Sequence, residues 1–353
     1  MKKWLKVALC ILLAVVLLVG GYVAYVFIDY HRLGDMTLTP THNAGAAESG
    51  TVYTMISYNI GFGAYESDYG FFMDGGTESR AWSKERLTKN LTAISTFLQE
   101  QDADFYLLQE VDTGATRTYQ VDERAYFTEA LSGMSWVYCQ NYDSPYLMYP
   151  LLKPHGASHA GLMTFSTADI AAASRVELPI EGGFMKLLDL DRCYSVSRIP
   201  VSGSKELVLY NLHLSAYTSD GTIATEQLKL LLADMQAEYE SGNWCVAGGD
   251  FNKDLLGDSA AWFGEADQSY SWAQPIPAET FAGVDVSLAA PLEENDPVPS
   301  CRNADGPYHE GQYVLTVDGF LTTPNVTVSQ ATVLDTGFAW SDHNPVKMTF
   351  TLS

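Results

Sequence analysis

The first 28 residues have a different rhythm from the rest of the chain. Lys2, Lys3 and Lys6 precede an unbroken apolar run from Val7 to Ile28. As a helix that run reaches about 33 Å, enough to cross a bilayer core of about 30 Å. A cleaved signal peptide has a shorter apolar region with a small-x-small site close behind it. Here Ala44–Ala47 lies far past the run, and Leu9 before Cys10 is too large for a lipoprotein signal. The pattern therefore predicts an uncleaved signal anchor: residues 1–6 a basic cytoplasmic segment and 7–28 a transmembrane helix. The lysines set a single-pass topology in the cell membrane, with the N-terminus cytoplasmic and the body extracellular. Residues 29–50 are polar and read as a flexible tether of about 25 Å span.

From residue 51 the pattern alternates between strand and helix periods. Thr51 to Ile60 is strand-like. Ser83 can cap a helix to about Gln99, with Leu87, Leu91, Ile94 and Leu98 on one face. Phe105–Val111, Leu207–Leu214 and Asn243–Gly248 read as strands, and Thr222–Tyr239 as a second amphipathic helix with Leu228, Leu231, Leu232 and Met235 inward. Three more strands are expected at 313–323, 326–335 and 346–353. Interleaved strands and helices in one block, 51–353, predict an α/β domain of stacked layers around a shared core. Two stretches fit no regular element: Gly61–Trp82, rich in Gly and aromatics, and Trp262–Gln312, rich in Pro, Gly and acids. Irregular loops this long are usually functional or disordered; their aromatics suggest ordered rims of a cleft, and plain surface decoration is an equal alternative.

Composition narrows the partners. The chain has 43 Asp and Glu against 20 Lys and Arg; the three anchor lysines removed, residues 29–353 carry a net charge of −26. At long range such a body repels nucleic acid and anionic lipid, so a small or zwitterionic substrate is easier to accept than a polyanion. At 47% hydrophobic and 12% aromatic residues, the chain is not a disordered acidic tail. Beyond the anchor, Cys139, Cys193, Cys245 and Cys301 are too sparse for a disulfide scaffold and lack zinc-ligand spacing. Cys245, in an apolar run, reads as a buried thiol.

The chemistry concentrates where strands end. In Cys245-Val246-Ala247-Gly248-Gly249-Asp250-Phe251-Asn252 an apolar strand runs out into a carboxylate and an amide two residues apart, which on an extended chain face the same side. Asn59 ends the first strand. Glu110 follows three apolar residues and a glutamine, where a carboxylate needs a cation or donors. His213, Asp318 and the pair Asp342-His343 also lie in or next to strands. Any one of these reads as a satisfied buried polar group; six strands doing it together read as a site.

Tyr58-Asn59, Gln109-Glu110, Asn211-Leu212-His213, Gly249-Asp250-Phe251-Asn252, Val317-Asp318 and Ser341-Asp342-His343 occur in the order of the endonuclease/exonuclease/phosphatase superfamily, which the chain resembles over about residues 51–353. The flanking loops match no single branch. The resemblance implies a four-layer α/β sandwich, two face-to-face mainly antiparallel sheets flanked by helices. It also implies a metal-dependent phosphoester hydrolase using Mg²⁺, or Mn²⁺ in its place. By position, Asn59, Glu110 and Asp342 become metal residues, and His213, Asp250, Asn252, Asp318 and His343 catalytic ones. Asp250 would orient or deprotonate water, and Asp318 would pair with His343. Arg117 is a weaker phosphate-binding candidate, competing with a plain surface arginine. His155 and His159 could face the cleft, against the ordinary reading of loop histidines as solvated, and Asp68 and Asp74 are unsupported second-metal positions.

Three functions follow. The first is an extracellular membrane-anchored Mg²⁺-dependent phosphodiesterase, with a lipid head group or small phosphoester favoured. The second is an extracellular endo- or exonuclease, which needs a local basic face; no Lys/Arg cluster appears in the sequence, so scattered residues would have to converge in space. The third is a non-catalytic surface module on the same fold.

Overall fold

In the computed structural model the described residues are 3–182, 191–202, 205–216, 222–264 and 272–353. Lys2 and residues 265–271 of the second expected loop lie outside them. Helix α1 (Lys3–Asp29) carries the apolar run; only Val26 in it is buried. By length and composition it is apolar enough to cross a membrane.

Two sheets build the body. The first is ordered β14 (Val326–Val333), β15 (Val346–Leu352), β2 (Val52–Asn59), β3 (Phe105–Asp112), β5 (His159–Ser166), β4 (Ser135–Asp143). The second is ordered β1 (Met36–Leu38), β6 (Ala172–Glu177), β7 (Cys193–Val201), β8 (Lys205–His213), β9 (Trp244–Asp250), β13 (Asp318–Thr322), β10 (Ser287–Ala289). In each, one parallel pair (β2 with β3, β8 with β9) lies among antiparallel neighbours. Side-chain alternation explains the layers. On β2 and β8, Met55, Leu207 and Leu209 fill the core between the sheets, with Leu107 and Val246 from their neighbours. Ile56 and Tyr58 point the other way, onto Leu87, Leu91, Ile94 and Leu98 of α2 (Lys84–Gln101) and Phe127 of α3 (Arg124–Ala130). Val208, Tyr210 and Leu212 meet Leu228, Leu231, Leu232 and Met235 of α4 (Thr222–Glu240). Strands covered on both faces must be apolar throughout, which is why these segments read as continuous runs. The result is the expected four-layer sandwich.

Ser83 caps α2 by accepting from the Arg86 N–H at 3.1 Å. The expected strand 313–323 is broken at Thr316-Val317 into β12 (Val314–Leu315) and β13; β12 pairs with β11 (Cys301–Arg302) in a separate small ribbon. The strands of 135–201 had no assignment from the sequence. There Cys139 on β4 and Cys193 on β7 place their thiol sulfurs 3.6 Å apart between the sheets.

The tether expectation is corrected. Met36–Leu38 is not free coil but β1, paired antiparallel with Ala173–Arg175 at the edge of the second sheet. The buried Arg175 guanidinium takes the carbonyls of Leu33, at 2.5 Å, and Gly34, at 2.9 Å. Further on, Asn43 N–H donates to Asp169, and Ala47 is fully buried against Val201. Polar composition masked this order because the segment is held by backbone pairing and a guanidinium supplied from residue 175.

Candidate active site

Strand ends from both sheets open into one pit. In the second sheet His213, Asp250 and Asp318 stand in one cross-strand row: His213 is opposite Asp250 in the parallel ladder, and Asp318 opposite Asp250 in the antiparallel one. Gly249, just before Asp250, has φ +151°, and a Cβ there would lie 2.0 Å from the Leu212 carbonyl oxygen; only glycine lets these strands close up. Beyond β9 the chain does not stay extended as the i, i+2 reading required. Asn252 turns left-handed at φ +49°, its N–H donating to Asp250 Oδ1 at 2.8 Å and its side chain to the Leu214 carbonyl at 2.7 Å. Asp250 and Asn252 converge through this turn, not through strand periodicity.

In the first sheet Asn59 ends β2 opposite Gln109. The ladder of β3 on β5 slips between Leu108 and Val111, and inside that bulge Glu110 adopts φ +58°. A left-handed glutamate costs about 1–3 kcal/mol and is aimed away from the regular pleat. Asn59 bridges the walls, its NH₂ donating to Glu110 Oε1 at 3.3 Å and Asp250 Oδ2 at 3.0 Å, while its carbonyl accepts from Gly61 N–H at 3.0 Å. Behind them the buried Gln109 and Asn211 join the sheets directly at 2.8 Å. Asp342 sits over Gly61, where a Cβ would meet its carboxylate at 3.1 Å. His343, ahead of β15, places Nδ1 2.8 Å from Asp318 Oδ2, which also accepts from Ser300 Oγ at 2.8 Å.

Charges differ sharply across the pit. Asp250 is flanked by His213 Nε2 at 3.5 Å and His343 Nε2 at 3.8 Å. Burial first, then the Asp318 charge, pushes its carboxyl up to about 7. Burial likewise raises Glu110 and Asp342, each with a partial opening to solvent. Burial also opposes a charge on His343, but Asp318 and then Cys301 and Asp342 outweigh it and hold this imidazole protonated well above its ordinary range. His213 is driven the other way, by burial and then by Arg192, His343 and Arg117. Its Nδ1 has no partner among the described residues. One neutral and one charged imidazole thus face the same carboxylate.

Glu110, Asp250 and Asp342 all line the pit. Arg117 lies on the wall, buried rather than on the surface, but is engaged by Asp112 at 2.8 and 2.9 Å, its guanidinium carbon 3.8 Å from the Phe62 ring centre. Three desolvated carboxylates, Glu110, Asp250 and Asp342, beside an Arg117 already committed to Asp112, suit a hard divalent ion. Ligand atoms of Asp250, Asp318 and His343 also lie within 4.8 Å of one another and could hold a metal. There, Asp318 Oδ2 and His343 Nδ1 are engaged with each other at 2.8 Å, while Asp318 Oδ1 has no partner among the described residues.

Every residue carried over from the sequence except Asp318 lines the pit; Asp318 stands behind His343. Among the weaker candidates, His155 does line the pit, but the reading of it as solvated is corrected. It is buried in the wall, between Ser79 O at 2.9 Å and Ser158 Oγ at 3.3 Å, and burial pushes it down to about 3. His159 is half-exposed, 3.1 Å from Asp143. Asp74 reaches the rim, while Asp68 pairs with Arg86 at 2.7 Å. Both irregular loops supply lining, Tyr65, Phe71 and Met73 from one and Trp272, Cys301 and Arg302 from the other. Their individual positions had no periodic signal, nor did Arg192, which donates to the His213 carbonyl at 3.4 Å.

The model of the Endonuclease/Exonuclease/phosphatase family matches residues 56–343. Among solved structures, the endonuclease/exonuclease/phosphatase of Beutenbergia cavernae is 18% identical at a TM-score of 0.56, over 86% of this chain and 72% of that one. Truncated Caenorhabditis elegans TDP2 is 15% identical at 0.52, over 86% and 98%. ANGEL2, a 2',3'-cyclic phosphatase, is 15% identical at 0.54, over 90% and 98%. These likenesses establish the fold. No curated protein matches the chain.

Proposed function

Because the chain belongs to the endonuclease/exonuclease/phosphatase family, we propose that it is a membrane-anchored, Mg²⁺-dependent phosphodiesterase, acting outside the cell on a lipid head group or another small phosphoester. The observation that carries this reading is Asp250 flanked by His213 and His343 in one pit with Glu110, Asn59 and Asp342. Family members are phosphoesterases and nucleases that use divalent metals. Glu110 and Asp342, with the Asn59 amide beside them, would hold the ion. When bound, it neutralises charge on the phosphoryl oxygens and so stabilises the transition state.

The remaining work falls to the protein. Asp250, once ionised, orients a water and accepts its proton as the oxygen attacks phosphorus. His343, kept charged by Asp318, donates to a phosphoryl oxygen. His213 stands beside the same carboxylate for proton traffic with the leaving oxygen, and Asn252 supplies a further donor. The water oxygen bonds to phosphorus and the ester P–O bond breaks; the proton taken up by Asp250 passes through His213 to the departing alkoxide, which leaves as an alcohol.

The test uses the full chain in detergent or nanodiscs, with sphingomyelin, phosphatidylcholine, phosphatidylinositol phosphates, bis-p-nitrophenyl phosphate and plasmid DNA, in Mg²⁺ and in EDTA. Turnover of a small or lipid phosphodiester that disappears in EDTA and in Asp250→Ala is expected. Turnover that persists in either would refute the mechanism, and rapid nicking of plasmid without lipid hydrolysis would make the enzyme a nuclease.

A further inference from the structure

Between Asp143 and Lys153 the chain runs Ser-Pro-Tyr-Leu-Met-Tyr-Pro-Leu-Leu without a charge. Among the described residues this loop is the most exposed apolar feature outside α1. Leu152 is fully exposed and Leu151 78% so, with Tyr149, Met148 and Tyr146 also open. An uncharged patch of this kind on a soluble surface would promote aggregation, and it marks a contact surface.

Its occupant is indicated by its neighbour. The Tyr22 hydroxyl, in the last turns of α1, donates to the Tyr146 carbonyl and accepts from the Met148 N–H, both at 3.1 Å. The Tyr25 hydroxyl accepts from the Tyr146 N–H at 3.0 Å. At 1.5 Å per residue, Tyr22 and Tyr25 lie about 9 and 5 Å inside the end of the apolar run at Ile28. A loop at that depth beside a spanning helix is in the membrane interface, where tyrosine is enriched. Peptide groups there need protein partners because water is scarce. The two tyrosines supply them, as do the reciprocal bonds of Leu147 with Gly156. The loop is also joined to the pit. Tyr149 packs on Phe72 at 5.7 Å between ring centres, Phe72 on Phe71 at 4.8 Å, and Phe71 lines the pit wall with Met73.

We propose that Tyr146–Leu152 is a lipid-inserting wedge, seated in the leaflet that α1 leaves at its C-terminal end. It presses the mouth of the pit against that leaflet so that zwitterionic phospholipid head groups are taken in place. The substrate part of this inference rests on the function proposed above; the insertion part does not. The net −26 of the body selects zwitterionic over anionic lipid, and Tyr149, Phe72 and Phe71 form an apolar ramp for acyl chains beside the pit.

Two measurements on the full chain in vesicles of phosphatidylcholine and sphingomyelin separate the two parts. In a Cys10→Ser background, which leaves only buried thiols, Leu152→Cys is labelled with an environment-sensitive fluorophore, and Glu100→Cys at the end of α2 serves as control. Blue-shifted emission at 152, quenched at least twofold by acyl-chain nitroxide lipids while the control is unaffected, is expected; a label at 152 that behaves like the control overturns the wedge. The double variant Leu151→Ser, Leu152→Ser should hydrolyse bilayer lipid at least tenfold more slowly and bis-p-nitrophenyl phosphate at the unchanged rate. Equal retention or equal loss on both substrates overturns the presentation role. If the unaltered protein turns over none of them, the proposed function fails while the quenching result still decides insertion.

Discussion

Asp250 lies between a protonated imidazole and a neutral one, and its own proton comes off at about 7. In the unfolded chain the same carboxyl ionises near its ordinary 3.8, so the unfolded state loses its proton first. Asp250 therefore withdraws stability as pH rises from about 4 to about 7, by an amount on the order of a few kcal/mol. Glu110 and Asp342, raised by burial, act in the same sense. His343 adds stability below its ordinary 6.5 that is lost as pH rises through its higher folded value, whereas His213, buried neutral, costs stability below 6.5. A divalent ion needs the carboxylates ionised. Melting experiments should thus show a larger gain from Mg²⁺ over EDTA at pH 7.5 than at pH 5, and none in Glu110→Gln; an equal gain at both pH values would refute this account. Asp250→Asn should lower turnover by about 10³-fold or more. Without metal at pH 7.5 it should melt no lower than the parent, since a buried charge is removed. The identity of these residues was legible because motif order survives in the sequence. Their charge states were not, because burial and neighbours set them.

At the scale of elements, two devices bring the sheets' ends into register. The first is the amide clamp. Asn211 accepts from Gln109 at 2.8 Å and donates to the Met163 carbonyl at 2.9 Å and the Leu108 carbonyl at 3.2 Å, all within the core. Asn211→Ala orphans these groups, and denaturant titration should find a loss of about 2–4 kcal/mol. The second is the close approach of β8 and β9 at Gly249. Gly249→Ala should lower both stability and activity, because the Leu212 carbonyl leaves no room for a methyl group; a variant with parental melting temperature and turnover would contradict this. The helix over 84–101 and the core strands were readable from their periods. The Glu110 bulge was not: its left-handed backbone depends on how β5 pairs with β3, and a local pattern carries no record of that slip. The strands β4, at the edge of its sheet, and β6, next to the edge strand β1, were missed for the related reason that half-covered strands mix polar and apolar positions.

For the whole molecule, the segment between helix and body decides how the pit meets its surroundings. Arg175 holds Leu33 and Gly34 by their carbonyls, Arg32 pairs with Glu177 at 3.0 Å, and β1 completes the sheet edge. A clipped segment fixes the body relative to α1 where a free coil would let it swing. Arg175→Ala should release the clip, and limited trypsin digestion should then cut at Arg32 several-fold faster, with a lower melting temperature as well because the Gln140 and Asp191 carbonyls lose their donor. Unaltered cleavage would mean that β1 pairing alone suffices.

The sequence by itself determined the apolar helix, the layered α/β body and the set of oxygen and imidazole side chains at strand ends, since each is written in local periodicity or motif order. Only the tertiary structure decided that residues 29–50 lie along the sheet edge, that Arg117 is consumed by Asp112, and that Asp250 stands between unlike histidines. It alone placed the exposed Tyr146–Leu152 loop beside the end of α1. The reason is the same in each case: a residue's partners, and therefore its charge and order, come from segments far away in the chain.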